Sequence, residues 1–330
     1  MNDYPPLVTV LTPVYNGEKY LSECIESVLN QDYENWQHII VNNCSSDSTL
    51  DIASRYAEID SRIHVISNLK HVDIIENHNI AFSLVPKGSK YCKVVSADDW
   101  IYPECIKRMV QLAEENPSIA VVGCYAISSE EVHYAGLPPE RSVFSGREIC
   151  RLHLLGGPWV IGAPTSILYR SEIVRSEEPF FAGHRSSADT SACYRILQQH
   201  DFGFVHQVLS FIRIHDGSMS ARQSGLRALA FDKMAAVAEY GPIFLSSGEF
   251  NRRFDELLNN YYYDVLASAF IKRLGKAFWS YHIERLEEIR VKFSRSRLLR
   301  AVIKRILDLL SNPKQTIEKI LKRTKEPYYL

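Results

Sequence analysis

The first 125 residues constrain this chain most, because short β-branched runs there take turns with segments of helical periodicity. Residues 7–11 read Leu-Val-Thr-Val-Leu, a run suited to a buried strand. Between 17 and 30, Tyr20, Leu21, Cys24, Ile25, Val28 and Leu29 fall on one helical stripe. The alternation continues with strands at 36–41 and 63–66, helices at 48–56 and 74–84, a strand at 91–95, an amphipathic helix at 103–115 and a strand at 119–125. Pro103 fits the first turn of its helix, where a missing N–H is harmless. Such alternation predicts an α/β domain, a mostly parallel sheet flanked by helices on both faces.

After residue 125 the pattern becomes mixed. A helix at 146–155 precedes a Gly/Pro-rich stretch (156–165), then a strand at 166–169, a helix at 190–199 and a strand at 208–214. From 225 onward the pattern is almost wholly helical. The expected organisation is therefore a domain over 1–222, itself in halves 1–125 and 126–222, with a helical C-terminal region over 223–330.

In sheets of this class ligands lie beyond the carboxyl ends of the strands. Three segments fall there. Ser96-Ala97-Asp98-Asp99 places two adjacent carboxylates after a strand. A hard cation, Mn²⁺ or Mg²⁺, takes oxygen ligands and accepts a site only partly built by protein; alternatively, the pair caps the helix near Pro103. Thr12-Pro13-Val14-Tyr15-Asn16-Gly17 has neither the glycines of a dinucleotide fingerprint nor a P-loop lysine. It offers an aromatic ring and small polar groups suited to a base or ribose, or an ordinary turn with Asn16 as N-cap. In Val41-Asn42-Asn43-Cys44-Ser45-Ser46-Asp47-Ser48-Thr49, Asp47 or Ser48 suits a helix cap, and the amides of Asn42 and Asn43 can meet the edge of a base.

Together these segments resemble the family 2 glycosyltransferases of the GT-A fold. Pro13-Val14-Tyr15-Asn16 matches that family's P-x-Y-N. Residues 41–49 match its V-D-D/N-G-S-x-D-x-T, with Asn42, Asn43 and Cys44 in place of Asp-Asp-Gly. Asp98-Asp99-Trp100-Ile101-Tyr102-Pro103 matches its metal motif. The resemblance spans about residues 7–220 and implies a nucleotide-binding half at 1–125 and an acceptor half at 126–222. It implies a nucleotide-sugar donor, UDP-linked by preference, held by Thr12, Pro13, Tyr15, Asn16, Asn43 and Asp98, with Asp99 on the cation. Asp189, in Ala188-Asp189-Thr190, matches the family's catalytic base, whereas by itself an Asp before Thr-Ser-Ala reads as an N-cap. Arg213-Ile214-His215, followed by Ser218 and Ser220, matches an R-x-H strand end, so that Arg213 would meet the diphosphate and His215 the metal. Residues 156–165 would line the acceptor side. The acceptor would be a hydroxyl of a glycan or polyprenyl-linked molecule, and one displacement would give inversion. A sugar nucleotidyltransferase, or a degenerate carbohydrate- or nucleotide-binding relative, is the alternative.

Composition narrows the setting. A net charge of −1 gives no broad attraction to nucleic acid. Seven scattered cysteines, none in C-x-x-C spacing, suit a reducing, cytoplasmic compartment. No basic-then-apolar leader is visible at the N-terminus, and no apolar run is long enough to span a bilayer. Yet between 294 and 326 ten cations face three acids, and Leu299, Val302, Ile303, Ile306 and Leu310 recur at helical spacing. Residues 295–325 thus read as a basic amphipathic element in peripheral contact with an anionic membrane, or as a stripe packed on the preceding helices.

Overall fold

The computed structural model describes residues 5–182, 187–215 and 228–311, in two units that divide between Ile214 and His215. Ser218, Ser220 and the basic residues beyond 311 lie outside the described residues.

The first unit is an α/β domain. It opens with β1 (Val8–Val14), α1 (Leu21–Leu29), β2 (Trp36–Asn42), α2 (Thr49–Ile59), β3 (Ile63–Ser67), α3 (Ile74–Ser83) and β4 (Tyr91–Val94). There follow β5 (Trp100–Ile101), α4 (Cys105–Glu115), β6 (Ile119–Ser128), β7 (Glu131–His133), β8 (Val143–Phe144), α5 (Gly146–Leu154), β9 (Ile167–Arg170), α6 (Ser171–Ser176), α7 (Ala188–Ile196) and β10 (Asp201–Phe211). The main sheet runs β3-β2-β1-β4-β9-β6-β10-β5. Its first four strands are parallel, β9 runs antiparallel to both neighbours, and β10 is parallel to β6.

Helices cover both faces because the strands are apolar on both. Val8, Val10 and Val14 share a core with Leu21, Cys24, Ile25 and Val28 of α1, Ile52 of α2 and Ile106, Met109 and Val110 of α4. On the other face Phe82 of α3 meets Phe180 edge to face at 4.5 Å, and both rings pack near Tyr169 of β9. Burying such side chains contributes about 1.5–3 kcal/mol each.

Two boundaries matter for function. β1 runs three residues past its expected end, through Val14, which pairs with Asn42. Pro13 is tolerated inside it because pairing with β4 stops at Leu11 and Val94, so no ladder partner awaits the missing N–H. Helix α1 starts at Leu21 rather than Gly17, which leaves residues 15–20 as a loop above the sheet.

The second unit is helical over its described residues. It comprises α8 (Ala228–Phe244), α9 (Ser247–Tyr261) with a Ser246/Glu249 capping box, a π-helical turn (Tyr262–Leu266), α10 (Ala267–Ile271), α11 (Lys276–Glu288) and α12 (Arg295–Ser311). Its core gathers Phe231, Met234, Leu258, Tyr261, Tyr262, Leu286 and Val302. No helix among the described residues is long and apolar enough to cross a membrane.

Candidate active site

The loops after β1 and β2 are stitched together. Asn16 adopts a left-handed conformation (φ 51°), which asparagine tolerates. Its Oδ1 accepts from Ser46 N at 2.8 Å, while its own N–H donates to Ser45 Oγ at 2.9 Å. Gly17 N donates to Thr49 Oγ1, Glu18 N to Asp47 Oδ2, and Ser48 N to Glu18 Oε2. Asn16 is therefore no N-cap; it ties one loop to the other. Cys44 also stands in the left-handed region (φ 55°), where glycine is at ease, and its thiol donates to Asn68 O at 3.2 Å.

The expected base-contacting residues divide. Tyr15 is half exposed, and its ring lies 4.5 Å from that of exposed His71. Thr12 is wholly buried: its hydroxyl donates to Val95 O and accepts from His38 Nε2, both at 2.8 Å. A ligand-facing Thr12 does not fit that burial, which follows from the extension of β1; the residue instead ties β1 to the end of β4 and to β2. Pro13 is half-buried within β1. Asn43 is 2% exposed, and its side chain pairs with the backbone of Val72, accepting at 3.0 Å and donating at 2.9 Å. Asn68 donates to both Asn43 Oδ1 and Asn77 Oδ1, which sets Asn43 in a neutral amide network, while the Asn42 side chain donates to Ser67 Oγ and accepts from Ser45 N.

That network displays a residue the sequence motifs missed. His71 Nδ1 lies 3.2 Å from Asn43 O. A carbonyl only accepts, so Nδ1 is the donor of this bond, which leaves Nε2 as the ring nitrogen turned away from it.

The carboxylates sit above β4 and do not cap α4, whose N-cap is Glu104; β5 intervenes. Asp98 is half-buried and Asp99 is 5% exposed. Asp99 Oδ2 accepts from Thr165 Oγ1 at 2.6 Å and Oδ1 from Arg213 N at 2.9 Å. Burial first, then the neighbouring Asp98 charge, pushes the Asp99 carboxyl up to about 7, against the downward pull of those two hydrogen bonds. Beneath it, fully buried Lys93 donates to Thr165 O at 2.5 Å, and Ser96 N donates to Thr165 Oγ1 at 3.1 Å. Thr165 belongs to the stretch expected to line the acceptor side, yet it enters the carboxylate loop. Nothing in its sequence spacing announces that.

Arg213 is a clamp rather than an unengaged cation. Its Nε donates to Asp98 O at 2.9 Å, its guanidinium is ion-paired with Glu23 of α1, and it lies 4.4 Å from the centre of the Tyr20 ring. Asp189 falls in the first turn of α7, one position inside the helix, and the N-cap is Ser187. Asp189 Oδ1 accepts from Thr190 N at 2.7 Å. His215 is the first residue of the second unit.

The family model described as glycosyl transferase family 2 matches residues 9–176, half of the chain. The chain belongs to this family. It is therefore a glycosyltransferase, and its α/β unit is the family's GT-A fold. An uncharacterized glycosyltransferase of Haemophilus influenzae is 37% identical over 120 residues, 36% of each chain, so only about a third of that relative's length is matched. The glycosyltransferase GlyG of Streptococcus pneumoniae is 26% identical over 220 residues, covering 64% of this chain and 72% of that one. Among solved structures, Staphylococcus aureus TarS 1-349 in complex with UDP-GlcNAc superposes with a TM-score of 0.62 at 17% identity, covering 91% of this chain and 88% of that one. The mannosyltransferase PcManGT of Pyrobaculum calidifontis, in complex with GDP-Man and Mn²⁺, has a TM-score of 0.53 at 14% identity, covering 93% and 88%.

Proposed function

We propose that this glycosyltransferase inverts, moving a sugar from a nucleoside diphosphate, UDP in the first place, to a hydroxyl of a glycan or polyprenyl-linked acceptor in cell-surface polysaccharide synthesis. One observation carries the reading. At the carboxyl ends of β1, β2 and β4 a partly exposed carboxylate, Asp98, adjoins a buried one, Asp99, that Thr165 and Arg213 hold in place.

Burial favours exchanging the roles expected of the two. Asp98, the more accessible, is the proposed cation ligand; Asp99 is the carboxylate that positions the loop. The donor set fits Mn²⁺ or Mg²⁺, which take carboxylate oxygen. Among the described residues no cluster of three His, Cys, Asp or Glu could hold a metal. That suits an ion completed by diphosphate oxygens and water. When bound, such an ion neutralises charge developing on the leaving diphosphate. His215 has the R-x-H pattern alone in its support.

The chain's own groups would do the rest. Tyr15 would lie against the base, and His71 Nε2 would accept from a base that carries a ring N–H, as uracil does and cytosine does not. UDP and UDP-GlcNAc, bound in the TarS structures of the same fold, support trying uridine first. Asp189 would accept the proton of the acceptor hydroxyl as it attacks the anomeric carbon from the face opposite the diphosphate. The setting in polysaccharide synthesis draws on TuaG of Bacillus subtilis, whose name places it provisionally in teichuronic acid biosynthesis and which is 25% identical over 225 residues. Seven free cysteines suit a cytoplasmic location.

The test is thermal stabilisation by UDP, GDP, dTDP and CDP, each with and without Mn²⁺. A ligand at 100 times its Kd should stabilise the folded state by about 2.7 kcal/mol. The expected result is a metal-dependent shift, largest with UDP, lost in Asp98→Asn and weakened in His71→Ala. Absence of a shift with all four nucleotides would refute the donor site.

A further inference from the structure

The second unit carries an apolar face that none of its described residues covers. On α12, Leu299, Ile303, Ile306 and Leu310 follow one another at steps of four, three and four, which draws one line along a helix. They are 61%, 49%, 44% and 74% exposed. The stripe read from the sequence thus splits, because Val302 turns into the core at 6% exposure while these four face outward. The end of α10 and the turn into α11 continue the same face. Phe270, Ile271 and Leu274 are exposed there beside Lys272, Arg273 and Lys276. Phe270, Trp279, Phe293, Leu299 and Arg295 line a common cleft of about 480 Å³, which makes turn and helix one continuous surface.

Charge selects the occupant. Residues 270–276 and 295–310 hold eight cations (Lys272, Arg273, Lys276, Arg295, Arg297, Arg300, Lys304 and Arg305) against one acid, Asp308, in a chain whose net charge is −1. Among the described residues, Arg297 pairs with Asp255 and Arg305 with Asp264, each at 3.7 Å. A second copy meeting this face with its own would bring like charge to like charge. Residues 312–330 carry five cations against two acids, so they too are poorly matched to it. A surface both apolar and anionic fits both properties, since apolar side chains enter the headgroup boundary while cations meet the lipid phosphates.

We propose that the outer face of α12 and the 270–276 turn form a docking surface for an anionic lipid bilayer. The proposal deepens the reading that the acceptor is lipid-linked, but lipid binding is measured without sugar transfer and stands or falls separately.

The experiment is co-sedimentation of the full chain with vesicles of phosphatidylcholine alone and of phosphatidylcholine mixed with phosphatidylglycerol. Binding is expected only to the mixed vesicles and should weaken with added salt. Leu299→Asn with Ile303→Asn should reduce it at least about tenfold, since two apolar side chains no longer enter the bilayer. Lys272→Gln with Arg273→Gln should reduce it about fivefold per charge. Both pairs are exposed, and unchanged unfolding midpoints would confirm that the fold survives. No binding to mixed vesicles, equal binding by wild type and both variants, or a dimer in solution that the Leu299/Ile303 variant splits into monomers would each overturn the proposal. The UDP-dependent thermal shift, read on the same preparations, tells a failed donor site from a failed membrane surface.

Discussion

Replacing Thr165 by Val tests how the carboxylate loop is held. The side chain is wholly buried, and its hydroxyl donates to Asp99 Oδ2 at 2.6 Å and accepts from Ser96 N at 3.1 Å. Valine keeps the shape and removes both bonds. A hydrogen bond to a charged group contributes about 1.5–3 kcal/mol, and a backbone N–H left without its acceptor adds to the loss. At pH 8, where Asp99 is ionised, the expected destabilisation is about 2–4 kcal/mol. The Thr165 bond is one of the influences holding the Asp99 carboxyl down, so the variant's carboxyl titrates higher than the wild type's value of about 7. The folded variant then binds more protons near neutrality, and its stability falls further than the wild type's as pH rises. At pH 5 both carboxyls are protonated, and the gap should shrink to about 1 kcal/mol, that of a neutral hydrogen bond. Urea unfolding at pH 5 and 8 measures this, with Thr165→Ser as the control that keeps the hydroxyl. A gap independent of pH, or a serine variant as unstable as the valine one, would refute the reasoning.

Three more outcomes are expected. Asp99→Asn should become progressively more stable relative to wild type between pH 4 and 7, by about 1.4 kcal/mol per pH unit, because a carboxyl raised on folding stabilises the protein less as pH rises through that window; parallel pH profiles for the two proteins would contradict it. His38 is buried and held down to about 3 by burial, so the wild type should lose stability as pH falls from 6.5 towards 3. His38→Gln should lessen that slope by about 1.4 kcal/mol per pH unit, and acid titration of both proteins checks it. Gly146→Ala would place a methyl 2.1 Å from His200 O and 2.3 Å from Leu197 O, both rigid backbone. A loss of about 1–3 kcal/mol is expected by calorimetry, and an unchanged melting temperature would mean that the start of α5 yields freely.

Local patterns carried the elements of the first unit. Periodicity gave α2 and α4 to within a few residues, and β-branched runs gave the cores of β1, β2 and β3, because each of these segments faces a single kind of environment. Where the environment depends on partners distant in sequence, local reading stopped short. β1 extends to Val14 because β2 is there to pair with it, and that extension buries Thr12. The motif placed Asp98 and Asp99 together, but only packing made one accessible and the other enclosed, by bringing in Thr165 and Arg213 from 66 and 114 residues away. His71 belongs to no motif and reaches the Tyr15 ring through a loop tied to Asn43. On α12 the sequence fixes which residues are apolar, and the fold decides that Val302 turns inward while Leu299 and Ile303 do not. The sequence by itself determined the alternation of elements, the family and the carboxylate pair, since these rest on residues close along the chain. Exposure, protonation and hydrogen-bond partners were left to the tertiary structure, because each depends on neighbours that only folding supplies.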